Sequence, residues 1–497
     1  MKVQAVSGKT LPTEPRELSE VADWFAETDV VVVGLGAAGS CAAIEAADAG
    51  AKVMVLEAGS VGGGTTAMAG GQIYFGGGTL LQSECGFEDT LEDMYQFMVK
   101  SCGPNGDEEK IRLYVDNNLD HYQWLLDQGM EFKAEYYAEK YTNTPNDEGL
   151  ICSGNEYAYP YDTIAKPAPR GHKGKAHGED GGAYLMRTLT AALEKRQVLI
   201  SYESRALTLI QDDSKRVVGL VVRIDGEERC IKAAQGVILC AGGFIMNDEM
   251  VKNHAPRLAK ASLPLGNPND NGVGLRMGQG VGGSLIGMSE GFVALPFYPP
   301  SSFVDGIIVN GKGQRVINED SYQGVVGDLI LNAPDEKFYL VIDSRNFEAL
   351  EKPPLGGFGV AGVGETIEEL EEELNMPARS LSHTLEQFNF HAAEGNDPLF
   401  HKRKPYLKPL NEAPYAAFDI SINSGAYFPV FTFGGLNTQP TGEVLTEDRQ
   451  VVTGLYAAGR NTCGLPRSGA TYSSGFSIGD ATFFGRLAGK TAAQNTK

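Results

Sequence analysis

The chain of 497 residues has no run of about 18 consecutive apolar residues, so no helix is expected to span a membrane. Its seven cysteines, at 41, 85, 102, 152, 230, 240 and 463, contain no C-x-x-C pair. This excludes a disulfide framework, c-type haem attachment and iron–sulfur ligation, and reads as reduced thiols in a cytoplasmic protein, mostly small buried groups. The seven histidines show no metal-ligand spacing, so no metal is expected. His172 and His177, in a Gly/Lys-rich stretch, read as ordinary residues. Basic clusters are short, His401–Lys404 being typical, and 42 Lys+Arg against 64 Asp+Glu leave a net charge of −22. A nucleic-acid partner is therefore excluded. Residues 1–27 are polar, carry two prolines and lack an apolar h-region, so no secretory signal is expected.

What is present is glycine, 62 residues of it, and 42% apolar residues, enough for a large core. Single cores stop growing near ~250–300 residues, which implies two domains. Four valines in Asp29–Gly34 read as a buried strand, Ala37–Ala49 as a small-residue helix and Lys52–Glu57 as a second strand. Gly59–Gly78 is too punctuated by glycine for regular structure. The amphipathic period predicts helix through Leu91–Asp127, and Thr142–Gly182, rich in Pro, Gly, Asn and His, reads as a long surface excursion. Val217–Arg223 and Cys230–Ile231 flank the hairpin signal Asp225-Gly226. Further strands are predicted at Gly236–Cys240, Gly306–Val309, Phe338–Ile342 and Gly454–Ala458. Helices are predicted at Thr366–Leu374, Leu381–Ala393 and Ser477–Leu487.

Gly34-Leu35-Gly36-Ala37-Ala38-Gly39 matches G-x-G-x-x-G between the first strand and its helix. Gly34 permits the tight turn, Gly36 lets the backbone approach a pyrophosphate, and Gly39 permits close helix–strand packing. The helix N-terminus offers free N–H groups and partial positive charge to phosphates. Glu57, 18 residues beyond Gly39, ends the second strand and suits ribose hydroxyls. The second glycine loop, Gly62–Gly71, is long enough to follow an extended dinucleotide, which favours FAD over NAD. Gly236–Gly243, and Gly454–Arg460 followed by a helix near Ser477, fit the same reading. That helix N-terminus would stabilise the charge of a reduced flavin.

With these motifs, and with Phe433-Gly-Gly-Leu436, the chain resembles the fumarate reductase/succinate dehydrogenase flavoprotein superfamily from Asp29 to Ala493. The resemblance implies an α/β fold: a Rossmann-type, glutathione reductase-like FAD-binding domain with an inserted α+β substrate-capping domain. The expected boundaries are a lead-in at 1–28, FAD-binding domain at 29–287 and 433–497, and cap at 288–432. It assigns to the cofactor Gly34, Gly36, Ala37, Ala38, Gly39, Glu57, Ala58, Gly63, Gly64, Thr65, Thr66, Gly70 and Gly71. It adds Ala206, Ala241, Gly242, Gly459, Arg460, Ser477 and Ile478. Members with covalently attached flavin carry a histidine in the second glycine loop; Gly62–Gly71 has none, which implies noncovalent FAD.

Dicarboxylate reductases of the superfamily carry a proton-donating arginine upstream of the strand leading to Arg315-Val-Ile-Asn-Glu319, at about Ser302 here. Ser301–Ile308 contains no arginine, and a neutral wall binds a dianion poorly. Instead, Gly313–Tyr322, Ala168–His172 and Gly469–Gly475 resemble the 3-ketosteroid Δ4-(5α)-dehydrogenases. That likeness implies removal of a proton from carbon 4 and a hydride from carbon 5. Tyr322 and Ser474 would form the proton relay. Tyr472, with the Gly475 N–H, would support enolisation at the 3-keto group; Tyr472 and Ser474 could exchange these roles. A phenol, with an ordinary pKa of about 10, sits beside an apolar ring system at less desolvation cost than a carboxylate. Arg467 stands where the superfamily binds substrate carboxylate; it is expected either to hold an acidic group or to form a salt bridge at the cap interface. The aromatics and prolines of Phe292–Phe303 are expected to wall an apolar slot or to belong to the cap core. Implied partners are a steroid or other apolar ketone and an unidentified electron acceptor. A 3-ketosteroid Δ1-dehydrogenase, a fumarate-type or enone reductase, and a flavoprotein sensor without turnover remain as alternatives.

Overall fold

The computed structural model describes residues 13–298, 300–333, 336–351 and 355–495. The first twelve residues of the expected lead-in, and Pro299 of the Phe292–Phe303 stretch, lie outside the described residues. Among the described residues, no helix is long and apolar enough to cross a membrane and no cluster of side chains could hold a metal ion. All seven cysteines are free thiols.

A nine-stranded sheet organises the fold. Its parallel part runs Val451–Ala457, Glu227–Leu239, Ala26–Val33, Val53–Leu56, Leu199–Ser201. In chain order these five strands are arranged 3-2-1-4-5, the doubly wound order. The valines of Ala26–Val33 are buried on both faces, because helices cover one side and the antiparallel strands Arg205–Gln211 and Val217–Ile224 belong to the other layer's core. The strand Glu227–Leu239 changes partner midway. Its first half pairs antiparallel with Val217–Ile224, and Val237–Leu239 pairs parallel with Leu455–Ala457.

The helix Ala37–Asp48 lies against the C-terminal helix Phe476–Gln494 with almost no side chain between them. A Cβ at Gly485 would stand 2.5 Å from the Ala38 carbonyl oxygen, and one at Gly489 would stand 2.0 Å from that of Ala42. Small residues at this seam let two helix N-termini reach the same region.

A second body is built on the antiparallel sheet Ile307–Asn310, Phe338–Asp343, Tyr415–Asp419, Val360–Gly364. Its residues alternate. Ile307, Val309, Tyr339 and Val341 face the helices Ile367–Glu373 and Ser380–Ala393, whereas Ile308, Phe338, Leu340 and Ile342 join a second core. That second core also recruits Phe244, Met250 and Leu258, well before residue 288.

Three expectations need correction. Gly59–Gly78 contains a 3-10 turn at Thr66–Met68 and a strand at Gln72–Tyr74. Leu91–Asp127 is three helices, Leu91–Ser101, Glu108–Asp116 and Asn118–Asp127, the first break falling at Gly103–Gly106. Thr142–Gly182 is not a surface excursion: Thr144, Asn155, Glu156, Arg170 and His172 are buried, and Gly171–Lys173 pairs with Leu150–Ile151 on one side and Gln72–Tyr74 on the other. Much of its polarity is satisfied inside the protein. Arg170 makes two hydrogen bonds to Asp89, and Lys173 Nζ donates to the carbonyls of Thr144, Asn146 and Gly178.

The helix seam is testable. Gly489→Ala is expected to destabilise the protein by about 1–3 kcal/mol, read as a lower urea midpoint, because the new methyl meets backbone. Gly359→Ala, with no atom within 4 Å, is expected to stay within ~0.5 kcal/mol of the parent.

Candidate active site

A cavity of about 690 Å³ opens at the carboxyl ends of the parallel strands, where the order reverses between Ala26–Val33 and Glu227–Leu239. Ligands of doubly wound sheets bind in this crevice. Of the predicted cofactor residues, Gly34, Gly36, Ala37, Ala38, Glu57, Ala58, Gly64, Thr65, Thr66, Gly70 and Gly71 line it. So do Ala206, Ala241, Gly242, Gly459, Arg460, Ser477 and Ile478. Gly39 and Gly63 do not line the wall; they support it. A Cβ at Gly39 would overlap the Gly34 carbonyl, and the Gly63 N–H donates to Leu35 O at 2.7 Å.

Gly34 takes φ +101 and packs its α-carbon against the Cys240 carbonyl, where a Cβ would approach to 2.5 Å. Gly36 caps the helix Ala37–Asp48, and the Ala37 N–H donates to Thr66 Oγ1. Both Glu57 oxygens accept backbone N–H bonds, from Leu35 at 2.9 Å and Gly59 at 2.7 Å. The carboxylate is thus fixed, with lone pairs left for ligand hydroxyls. Gln72, buried and on the cavity wall, has an Oε1 without a hydrogen-bond partner. Asp270, which sequence reading missed, joins the glycine loops: Thr65 Oγ1 donates to it at 2.6 Å and Arg460 pairs with the same oxygen. No local motif links residues 65, 270 and 460. A glycine cradle, an oriented acidic residue, an orphaned acceptor and two helix N-termini fit an extended dinucleotide such as FAD.

Beyond this cradle stand the hydroxyl residues. Tyr322 Oη and Ser474 Oγ are 2.6 Å apart, and Tyr472 Oη donates to Ser477 Oγ at 3.1 Å. Tyr322, Tyr472, Ser474 and Gly475 all line the cavity. The Phe292 ring lies beside both tyrosines, with centroids 6.1 Å from Tyr322 and 4.7 Å from Tyr472. Burial drives both phenols above their ordinary pKa of 10; the hydrogen bonds to Ser474 and Ser477 offset only part of this. Gly475, at φ +99, caps the C-terminal helix and turns its first N–H groups toward the cavity.

The segment Ser153–Glu156 clasps Tyr322 and Ser474 together. Ser474 N–H donates to Ser153 O at 2.9 Å, and Ser153 Oγ donates to Ser474 O at 2.8 Å. Asn155 Oδ1 accepts the Tyr322 N–H at 2.7 Å. Buried Glu156 stiffens the segment by accepting from the Ser153 and Gly154 N–H groups and from Tyr74 Oη. Burial raises its carboxyl pKa.

Tyr322 is also anchored through its own chain. Glu319 accepts two bonds from Arg315 and the Ile308 N–H, Arg315 also pairs with Asp397 at 2.8 Å, and Lys402 lies 3.4 Å from Glu319. Asp320 pairs with Arg403 and Lys140. Burial pushes the Glu319 carboxyl up, but the charges of Arg315 and Lys402 outweigh it and hold the group below the usual carboxylate range. The charged ends of the Arg315–Glu319 motif are therefore structural.

Arg467 is not on the cavity wall. Its guanidinium donates to Gly464 O and Asn105 O at 3.2 Å each and to Asp107 at 3.1 Å. The salt bridge ties the chain to the 103–107 loop, not to the 288–432 segment, and the substrate-binding expectation for Arg467 is corrected accordingly. From Phe292–Phe303, Phe292, Ala294 and Pro296 wall the cavity, while Phe297, Tyr298 and Phe303 belong to the core.

Residues 29–472 match the family model described as FAD binding domain. A crystal structure of 3-ketosteroid-delta4-(5alpha)-dehydrogenase from Rhodococcus jostii RHA1, in complex with 4-androstene-3,17-dione, is 42% identical. It superimposes with a TM-score of 0.92, covering 97% of this chain and 100% of that one. A fumarate reductase (cytochrome) of Shewanella frigidimarina is 28% identical over 94% of this chain and 77% of its own length. A urocanate reductase of Eggerthella lenta is 28% identical over 98% and 77%. With its glycine cradle at the sheet's switch point and the family match across most of its length, the chain belongs to the FAD-binding family of the fumarate reductase/succinate dehydrogenase flavoproteins and is an FAD-dependent oxidoreductase holding its cofactor noncovalently.

Proposed function

We propose that this protein dehydrogenates a saturated 3-ketosteroid, taking a proton from carbon 4 and a hydride from carbon 5 to leave a double bond conjugated with the ketone. Residues 288–432 act as the cap over the substrate in this reading. The observation that carries it is the Tyr322–Ser474 hydrogen bond of 2.6 Å inside an aromatic wall. The 42% identity to a Δ4-(5α)-dehydrogenase supports it.

When bound, FAD supplies the acceptor for the hydride. The chain supplies three things: a proton acceptor, polarisation of the ketone, and alignment. The 3-keto oxygen, placed at Tyr472 Oη and the Gly475 N–H, gains hydrogen bonds that strengthen as negative charge builds on it. The carbon 4 proton passes into the Ser474–Tyr322 pair, where the short bond lets one oxygen hand its proton on as the other accepts. Phe292 and Phe431 keep water from the face between them. Among the described residues, the charged side chains on the wall are Glu57, Glu179, Arg205, Asp270 and Arg460. Arg460, whose charge reaches Tyr472, is neutralised by Asp270. Near Tyr472 a dianionic substrate thus meets a cation already paired with an acid, and the stretch expected to hold the arginine of the dicarboxylate reductases, around Ser302, has none.

The two relatives named above are reductases, which favours one rival, reduction of an enone by the same groups run in reverse. Anaerobic addition of 5α-androstane-3,17-dione is expected to bleach the bound flavin and yield the Δ4-enone. Absence of bleaching, with reoxidation of the reduced enzyme by fumarate, would decide for the reductase.

Tyr322→Phe is expected to lower turnover by roughly 10²–10⁴ while the protein keeps its flavin. Unchanged turnover would remove Tyr322 from the chemistry. Because burial holds the Tyr322 phenol above 10, its ionised fraction grows tenfold per pH unit below that value. The logarithm of kcat/KM is therefore expected to rise by about one per pH unit from pH 7 to 10 without levelling, as follows for a base with so high a pKa. A plateau starting between pH 6 and 8 would assign the base to another group.

A further inference from the structure

The cavity's third wall is a small sheet whose strands are Leu263–Pro264, Pro429–Thr432 and Gly291–Val293. Its register sets Leu263 opposite Pro429, and Phe431 opposite Phe292. Side chains alternate along a strand, so these residues share one face with Ala294 and Leu265. All six line the cavity. The intervening Val293, Phe428 and Val430 are buried in the core behind. One complete face of this sheet is thus presented to the ligand, and none of its side chains carries charge.

Exposure changes along this face. At its inner end Phe292 and the two tyrosines are buried. At its outer end Leu263, Leu265, Leu355 and Tyr427 are 42, 38, 48 and 51% exposed, although all four line the same cavity. The Tyr427 N–H donates to Gly356 O at 2.7 Å, which fixes the Leu355 turn beside the strand. From Phe431 to Tyr427 is four residues, about 13 Å at 3.3–3.4 Å per residue. Four large apolar side chains at one mouth are an unusual concentration for a surface, and such patches mark contact sites. Each charged wall residue is already engaged: Arg205 bonds Asn269, Arg460 pairs with Asp270 and lies over the inner Phe431 ring at 5.6 Å, Glu57 holds the fingerprint loop, and Glu179 meets Asn143.

We infer that the preferred substrate is a 3-ketosteroid carrying a branched alkyl chain on ring D, lying ring A inward along this sheet face with its chain against Leu263, Leu265, Leu355 and Tyr427. The inference rests on the dehydrogenation reading above. With ring A at Tyr472 and Gly475, an elongated molecule lying along this face reaches a mouth lined by Leu263, Leu265, Leu355 and Tyr427. Of these side chains only Tyr427 carries a hydroxyl that a 17-keto group could meet, whereas the three leucines offer contact to alkyl groups alone. A carboxylate there finds no cation, and the protein's net charge of −22 opposes it.

Three substrates test this with the holoenzyme and an artificial acceptor: 5α-cholestan-3-one, 5α-androstane-3,17-dione and 3-oxo-5α-cholan-24-oic acid. The alkyl substrate is expected to show kcat/KM at least ~10-fold above the 17-ketone, mainly through KM, and the acid to fall below both. Leu355→Glu is expected to erase the ratio between alkyl and 17-keto substrates. A second variant, Leu265→Ser, is expected to reduce it and guards against loss of fold. Bleaching by the 17-ketone with equal or lower kcat/KM for the alkyl substrate, or a preference for the acid, would overturn the inference alone. No bleaching by any of the three would remove the dehydrogenation reading, and this inference with it.

Discussion

Two oxygens 2.6 Å apart, contributed by residues 152 positions apart in sequence, are the constraint on which the site depends. Neither is positioned by its own side chain. Ser474 sits where it does because the C-terminal helix lies backbone-to-backbone on the fingerprint helix and because Ser153 grips both of its peptide groups. Tyr322 sits where it does because Asn155 holds its N–H and Glu319 and Asp320 are tied down just upstream. The same few residues, Ser153–Glu156, therefore join the end of one body to a loop of the other.

The architecture explains why so polar a device tolerates burial. The buried carboxylates beside it accept N–H or O–H donors: Glu156 from two backbone groups and a phenol, Glu319 from a guanidinium and a backbone group. These donors offset part of the cost of burial, and the wall between Tyr322 and Tyr472 stays uncharged. The two phenols are buried on an uncharged stretch of the cavity wall, which raises both above their ordinary pKa.

The cofactor half of the site was legible in sequence because it is local. Gly34–Gly39 and Glu57 lie within one β–turn–α–β unit, and turn chemistry fixes what each glycine does. The tyrosines were legible only through resemblance, since nothing in the spacing of 322 and 472 says that they meet. The clasp at Ser153–Glu156 was misread because Pro, Gly and Asn signal turns and say nothing about burial. Here the turns are packed inside, their polar groups satisfied by residues such as Asp89 and Thr79 far along the chain. Asp270 was invisible for the same reason: its partners, Thr65 and Arg460, are about 200 residues away on either side. Arg467 was misplaced because its position in a motif was legible while its nearest acid, Asp107, was not.

The ion pairs upstream of Tyr322 have one more consequence. Arg315, Glu319, Asp397 and Lys402 are almost wholly withdrawn from solvent. Mobile counterions screen exposed pairs across a Debye length but reach buried ones far less. The loop that carries Tyr322 is thus fastened by electrostatics that dissolved salt loosens little, in a chain whose net charge of −22 makes its exposed charges sensitive to ionic strength.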